Sequence, residues 1–139
     1  QVLSSAASDV YKRQILMSSI QVLATEHRFE KWNLFPKERK KLIALMQSSD
    51  IPLLIISGDR HKGALYKLGN IYELTSSSLN KPIAISKLVN ENDKLMIGKT
   101  YNNENYGVIE INTDQAKVSL SLKNKSGEII NTASINIKN

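Results

Sequence analysis

The run Pro52-Leu53-Leu54-Ile55-Ile56, passing without a break into Ser57-Gly58-Asp59-Arg60-His61, constrains this chain more than any other stretch of it. A short, continuous apolar run of this kind predicts a buried strand. The glycine, carboxylate and imidazole that follow predict a ligand-binding turn at its C-terminal end, where open α/β sheets place their chemistry. Asp59 offers a hard anionic oxygen and His61 a neutral nitrogen. Spaced one apart, both can turn toward the same point, which suits a divalent or trivalent metal.

The residues before this run fix its setting. Ile15 to Val22 is apolar at Ile15, Leu16, Met17, Ile20 and Val22 and reads as a strand. Ala24 to Leu34 is polar and irregular and reads as a loop. Pro36 opens a helix, since proline is favoured at the first helical position, where its missing N–H has no partner to lose. Glu38 suits the positive end of the helix dipole, and Leu42, Ile43, Leu45 and Met46 form an apolar stripe. Strand, helix and strand with short links make a βαβ unit, so the two strands are expected as parallel neighbours, with Gln21 and Asp59 opening on one sheet edge.

Downstream, the pattern turns antiparallel. Gly63 to Leu68 and Ile71 to Thr75 flank Gly69-Asn70, a hairpin signal. Pro82 to Tyr106 reads as irregular, with a weak helical or extended stretch near Ile83 to Val89. Gly107 to Asn112, Val118 to Leu122 and Ile129 to Ile137 read as a β meander with a turn at Lys125 to Glu128.

The chain of 139 residues is 41% hydrophobic, enough for one core. Its net charge of +6 is scattered. The densest basic group, Lys37, Arg39, Lys40 and Lys41, opens the amphipathic helix without interleaved aromatics, so it reads as a solvated face rather than a nucleic-acid patch. With no cysteine, disulfides, thiolate metal sites and cysteine nucleophiles are excluded. No stretch reaches the ~18–20 apolar residues of a membrane span. Residues 1–14 are small and polar without a sustained period. Ser4 to Gln14 looks like translated sequencing-adapter sequence of the kind found at the ends of metagenomic reading frames, and the segment is expected to be non-native or disordered.

Several separated motifs then occur in one order: Ser18-Ser19-Ile20-Gln21-Val22-Leu23, His27, Phe29-Glu30-Lys31-Trp32, Phe35-Pro36-Lys37-Glu38-Arg39, Ser57-Gly58-Asp59-Arg60-His61, Tyr72-Glu73-Leu74-Thr75-Ser76-Ser77 and Asn105-Tyr106-Gly107. In this, residues 15–139 resemble the C-terminal part of the PhoD-like (alkaline-phosphatase-D-type) metallophosphatases, within the calcineurin-like phosphoesterases. The resemblance implies the C-terminal part of a four-layer α/β/β/α sandwich that ends in an antiparallel β meander. It implies a two-metal site, with iron, calcium, zinc and manganese not distinguished, and hydrolysis of phosphate mono- or diesters by a metal-activated water. It also implies a periplasmic or extracellular location.

Carried over residue by residue, Asp59 stands where the superfamily's last motif has its first histidine, and His61 matches the second. Gln21 stands where the superfamily has a histidine at the end of the preceding strand, and its amide oxygen can serve a hard metal or a bridging water. Asp59, His61 and Gln21 are thus implied metal ligands. Arg60 points away from them if the segment is extended, or reaches the substrate phosphate as a catalytic group if it is a tight loop. The family's Asp-x-His, Gly-Asp-x-x-Asp and Gly-Asn-His-Asp/Glu motifs are expected upstream of residue 15, so the chain alone is expected to be inactive. His27 and Glu30 read as structural residues near the pocket mouth, with Phe29 and Trp32 covering the helix start. Ser76 to Ser78, Tyr101 and Asn105 read as loop polars. The competing reading is a non-catalytic β-rich binding or structural module in which Asp59 and His61 are incidental.

Overall fold

The computed structural model describes residues 15–84 and 92–137. The segment 1–14 and most of the stretch expected near Ile83 to Val89 lie outside the described residues. The order is β1 (Ile15–Ser18), a 3-10 turn (Trp32–Leu34), α1 (Pro36–Gln47), β2 (Leu53–Ser57), β3 (Gly63–Leu68), β4 (Ile71–Ser76), β5 (Met96–Tyr101), β6 (Asn105–Asn112), β7 (Lys117–Asn124) and β8 (Ile129–Asn136). The fold is mixed α/β, with a five-stranded sheet ordered β1-β2-β4-β3-β5 and a three-stranded antiparallel meander β6-β7-β8.

The βαβ expectation is met. β1 and β2 are parallel, with Ile15 opposite Leu54 and Ser18 opposite Ser57. β2 also runs parallel to β4, which sets Ser57 beside Thr75. Three parallel strands therefore end together at Ser18, Ser57 and Thr75, and this edge carries the site. β1 is shorter than expected. The chain leaves the sheet after Ser18, and Gln21 to Ala24 cross the sheet face as a fully buried irregular segment.

The two faces of the larger sheet alternate as a pleat requires. One face, with Leu54, Leu65, Tyr72 and Leu74, packs on Leu120, Leu122, Ala133 and Ile135 of the meander. The two glycines Gly63 and Gly107 permit this close approach: a Cβ on Gly63 would lie 2.5 Å from Leu122 Cδ1, and one on Gly107 would lie 2.8 Å from Leu74 Cδ2. The other face, with Ile55, Ala64, Tyr66 and Ile71, meets Val22 to Ala24 and Met46 of α1, flanked by Leu42 and Ile43. Layer by layer this is α/β/β, three of the four layers of the implied sandwich among the described residues.

Two details differ from the sequence reading. Leu45 is 71% exposed and outside the stripe. At about 3.6 residues per turn, Arg39, Leu42, Ile43 and Met46 share a face and Leu45 falls beyond its rim. Arg39 is accordingly not part of a solvated basic face: its Nε donates to Val22 O at 2.7 Å and its Nη2 to Leu23 O at 2.9 Å. Within the stretch read as irregular, Met96–Tyr101 forms β5 against β3. Its register shifts between Gly63 and Leu65, with Gly98 at φ +72° inside the bulge, which interrupts the apolar pattern a strand normally shows.

Candidate active site

The loop that joins β2 to β3 is a tight turn, not an extended segment. Arg60 N–H donates to Gly58 O at 2.8 Å, closing a three-residue turn around Asp59. Asp59 has φ +67° and His61 φ +50°, both in the left-handed region. This γ-turn hand is the rare and strained one. A side chain held in the left-handed region costs roughly 1–2 kcal/mol, and such strain gathers at functional sites.

The turn separates its side chains. Asp59 and His61 are exposed, whereas Arg60 is only 4% exposed. The Arg60 guanidinium lies 4.1 Å from the centroid of the Phe29 ring, a cation–π stack. Asp59, Arg60 and His61 still line one cleft of about 480 Å³, together with Phe29, Glu30 and the segment Lys81 to Ala84. Glu30 thus reaches the pocket, as does Phe29, which was read as cover for the helix start.

His61 is held from behind. Its Nδ1 donates to Lys81 O at 2.7 Å, and its own carbonyl accepts Ile83 N–H at 2.7 Å. A carbonyl cannot donate, so Nδ1 carries the proton and Nε2 of the neutral ring keeps its lone pair. An imidazole oriented by a carbonyl on its far nitrogen is the usual arrangement of a metal-binding histidine. The loop is tied to the following segment through Lys81 and Ile83.

Gln21 is not brought to the cleft. It is fully buried beneath it, with Nε2 donating to Thr75 Oγ1 at 2.8 Å and Oε1 bonded to His27 Nε2 at 2.8 Å. Both arms of the amide have partners inside the protein. The described residues contain no group of three or more His, Cys, Asp or Glu able to hold a metal ion. The oxygen and nitrogen donors of Asp59 and His61 fit a hard or borderline metal, but they supply only part of a coordination shell.

A polar layer lies beneath the cleft, on the helix-side face of the sheet where the strands end. The Ser57 and Thr75 hydroxyls are 2.8 Å apart. Glu73 is fully buried and accepts Val22 N–H at 2.9 Å and Leu23 N–H at 2.6 Å. The Val22-Leu23 dipeptide is therefore clamped by Glu73 on its N–H groups and by Arg39 on its carbonyls. Burial raises the Glu73 pKa, opposed by these hydrogen bonds. His27 Nδ1 accepts Phe29 N–H at 3.2 Å, and Lys31 Nζ donates to His27 O.

Cations dominate this layer. Burial, then Arg60, Lys31 and Lys62, lowers the His27 pKa to about 3. Burial, then Arg60, lowers the Lys62 pKa to about 7. Asp93, 8% exposed, balances part of this charge and pins the chain by accepting Thr25 N–H at 2.6 Å and Leu95 N–H at 3.0 Å. Sequence reasoning missed Glu73, Lys62, Lys31 and Asp93 as site-building residues. The available signal was a lone carboxylate inside the strand-like run Ile71-Tyr72-Glu73-Leu74; Lys62, at the end of the polar stretch Asp59-Arg60-His61, carried none. Asn105, read as a loop polar, is 1% exposed at the start of β6. It donates to Ser78 Oγ at 2.7 Å and accepts from Ser76 Oγ at 3.0 Å.

No protein-family model and no curated protein matches the chain. Solved structures do match, and they share its mixed α/β fold. One is GAP50, the anchor in the inner membrane complex of Plasmodium, with a TM-score of 0.70 and 18% identity over 97% of this chain and 40% of that one. Another is PhoD, with a TM-score of 0.64 and 12% identity over 97% of this chain and 30% of that one. At these identities the likeness is one of fold. The chain spans less than half the length of either structure.

Proposed function

We propose that this chain forms the C-terminal part, residues 15–139, of a metal-dependent phosphoesterase domain of the PhoD-like kind, acting on phosphate mono- or diesters. The observation that carries this reading is His61. Its Nδ1–H is committed to Lys81 O, leaving Nε2 as a ligand nitrogen, in the same cleft as the exposed carboxylate of Asp59. The shared fold with PhoD supports it.

In this reading Asp59 and His61 hold metal, with the remaining ligands supplied from outside the described residues. Bound metal ions would polarise the phosphoryl group and lower the pKa of a water. The protein groups supply the rest. Arg60, steadied on Phe29, presents planar N–H donors to a phosphate oxygen pair. Phe29, Pro82 and Ile83 give the cleft an apolar wall that limits water. The buried cations Lys31, Arg60 and Lys62 bias the site toward an anion. Among the described residues no helix is long and apolar enough to cross a membrane. Export to the periplasm or exterior belongs to the same proposal.

Calorimetric titration with Mn²⁺ tests it. The chain should bind, and Asp59→Ala or His61→Ala should weaken binding by at least about tenfold. Reading the source gene upstream of Ile15 is the companion test: a frame continuing into Gly-Asp-x-x-Asp and a histidine-containing metal motif supplies the other ligands.

The second reading, a non-catalytic binding or structural module, is favoured by the lack of a three-ligand group among the described residues and by the likeness to an anchor protein. Solution behaviour separates the two. In β1, Ile15 is 50% and Met17 80% exposed, and β1 pairs with β2 alone among the described strands. If further strands belong there, the isolated chain should self-associate through that edge. A monomer that melts cooperatively and binds no metal fits the module.

A further inference from the structure

The hydrogen bonds beneath the cleft have a direction, and it follows from donor and acceptor chemistry alone. His27 Nδ1 accepts the Phe29 N–H, so in the neutral ring the proton is on Nε2. Nε2 therefore donates to Gln21 Oε1 at 2.8 Å. Gln21 Nε2 donates to Thr75 Oγ1 at 2.8 Å. The Thr75 hydroxyl is bonded in turn to the Ser57 hydroxyl, 2.8 Å away. Both donors point the same way, from His27 to Thr75, and turning the Gln21 amide over would set its NH₂ against the His27 Nε2–H. The elements joined are the ends of β2 and β4 and the buried crossing segment.

We infer that the three side chains His27–Gln21–Thr75, anchored through Thr75 to Ser57, form a one-way relay that locks His27 in its Nε2–H tautomer and thereby sets the position of Phe29, the platform on which Arg60 rests. Gln21, His27 and Thr75 are positioning residues for the cleft. The sense of the relay is fixed at its start, because the Phe29 N–H donates and cannot accept. His27 then offers Nδ1 to the Phe29 N–H, and the Phe29 ring meets the Arg60 guanidinium 4.1 Å away. Directional networks of this kind strengthen cooperatively and specify one arrangement. Their relevance to phosphate binding rests on the function proposed above. The relay itself does not.

Two-bond ¹H–¹⁵N correlation spectra of the labelled chain report the His27 tautomer directly. Nε2 should appear protonated and Nδ1 as the lone-pair nitrogen. Thr75→Val keeps the side-chain shape but removes the acceptor of Gln21, which frees the amide to turn. In that variant His27 should show both tautomers, and the Phe29 amide should exchange with solvent at least about tenfold faster. Thr75→Ser, which restores the hydroxyl, should return both readouts to the parent values. An Nδ1–H tautomer in the parent protein overturns the inference even if no variant folds. So does a Thr75→Val protein with an unchanged tautomer and Phe29 exchange. Phosphate binding, followed by chemical-shift changes at Arg60 and His61, is measured in the same samples: its absence counts against the phosphoesterase reading and leaves the relay standing.

Discussion

The guanidinium of Arg60 lies 4.1 Å from the centroid of the Phe29 ring, so a residue of the β2–β3 turn rests on one from the β1–α1 connection. These segments are far apart in sequence, and this contact holds the floor of the cleft to its wall. Phe29→Leu removes the π face but keeps an apolar side chain. We expect a loss of about 1 kcal/mol of stability by urea unfolding at constant slope. Weaker phosphate binding should accompany it, and an unchanged midpoint together with unchanged binding would show the stack to be idle.

Asp59 occupies the centre of a strained turn, with φ +67°. Glycine bears this conformation without a Cβ penalty. Asp59→Gly should therefore raise stability by about 1 kcal/mol, or about 4 °C in Tm, while abolishing metal binding. A destabilised Asp59→Gly would mean that the carboxylate contributes more to the fold than its turn costs.

His27 gives the stability a pH dependence. Burial and the neighbouring cations lower its pKa to about 3, against 6.5 in the ordinary imidazole. The unfolded chain therefore binds the extra proton between these values. The contribution is complete above pH 6.5 and is lost as pH falls toward 3. At pH 5 this linkage amounts to about 2 kcal/mol relative to pH 7.5. His27→Gln, which keeps a donor for Gln21 but does not titrate, should flatten this part of the profile. Unfolding curves of both proteins at the two pH values decide it.

Glu73 accepts two backbone N–H groups with its two carboxylate oxygens. Glu73→Gln puts an NH₂ where one of those donors already points. The variant should lose about 2–3 kcal/mol in denaturant unfolding, with the damage centred on faster hydrogen exchange at Val22 and Leu23. Protection retained at both amides would assign their stability to burial alone.

Much of this architecture was legible because its elements carry local patterns. The run Leu53 to Ile56, the Gly69-Asn70 hairpin and the alternation of Val118-Ser119-Leu120-Ser121-Leu122 each match a periodicity that burial imposes. β5 was not legible, since the Gly98 bulge breaks its alternation. The helix stripe was misjudged at Leu45 because composition suggested an apolar residue belonged inside, while the inward position went to Arg39, whose purpose depends on carbonyls of a distant loop. The site was legible where it is local: Asp59, Arg60 and His61 do meet at one cleft. Gln21 shows the limit. Its place near the strand end was read from order along the chain, but the partners that occupy its amide, His27 and Thr75, are set by folding. Glu73 makes the same point from the other side, since a lone carboxylate in a strand declares its role only when Val22 and Leu23 arrive.

The two glycines at the sheet–sheet contact tie substitutions together across evolution. Space for a side chain at position 63 is already filled by Leu122, and space at position 107 by Leu74. Relatives that carry alanine at either position should carry a smaller residue at its opposite number, so the pairs 63/122 and 107/74 should change in concert while their neighbours drift independently.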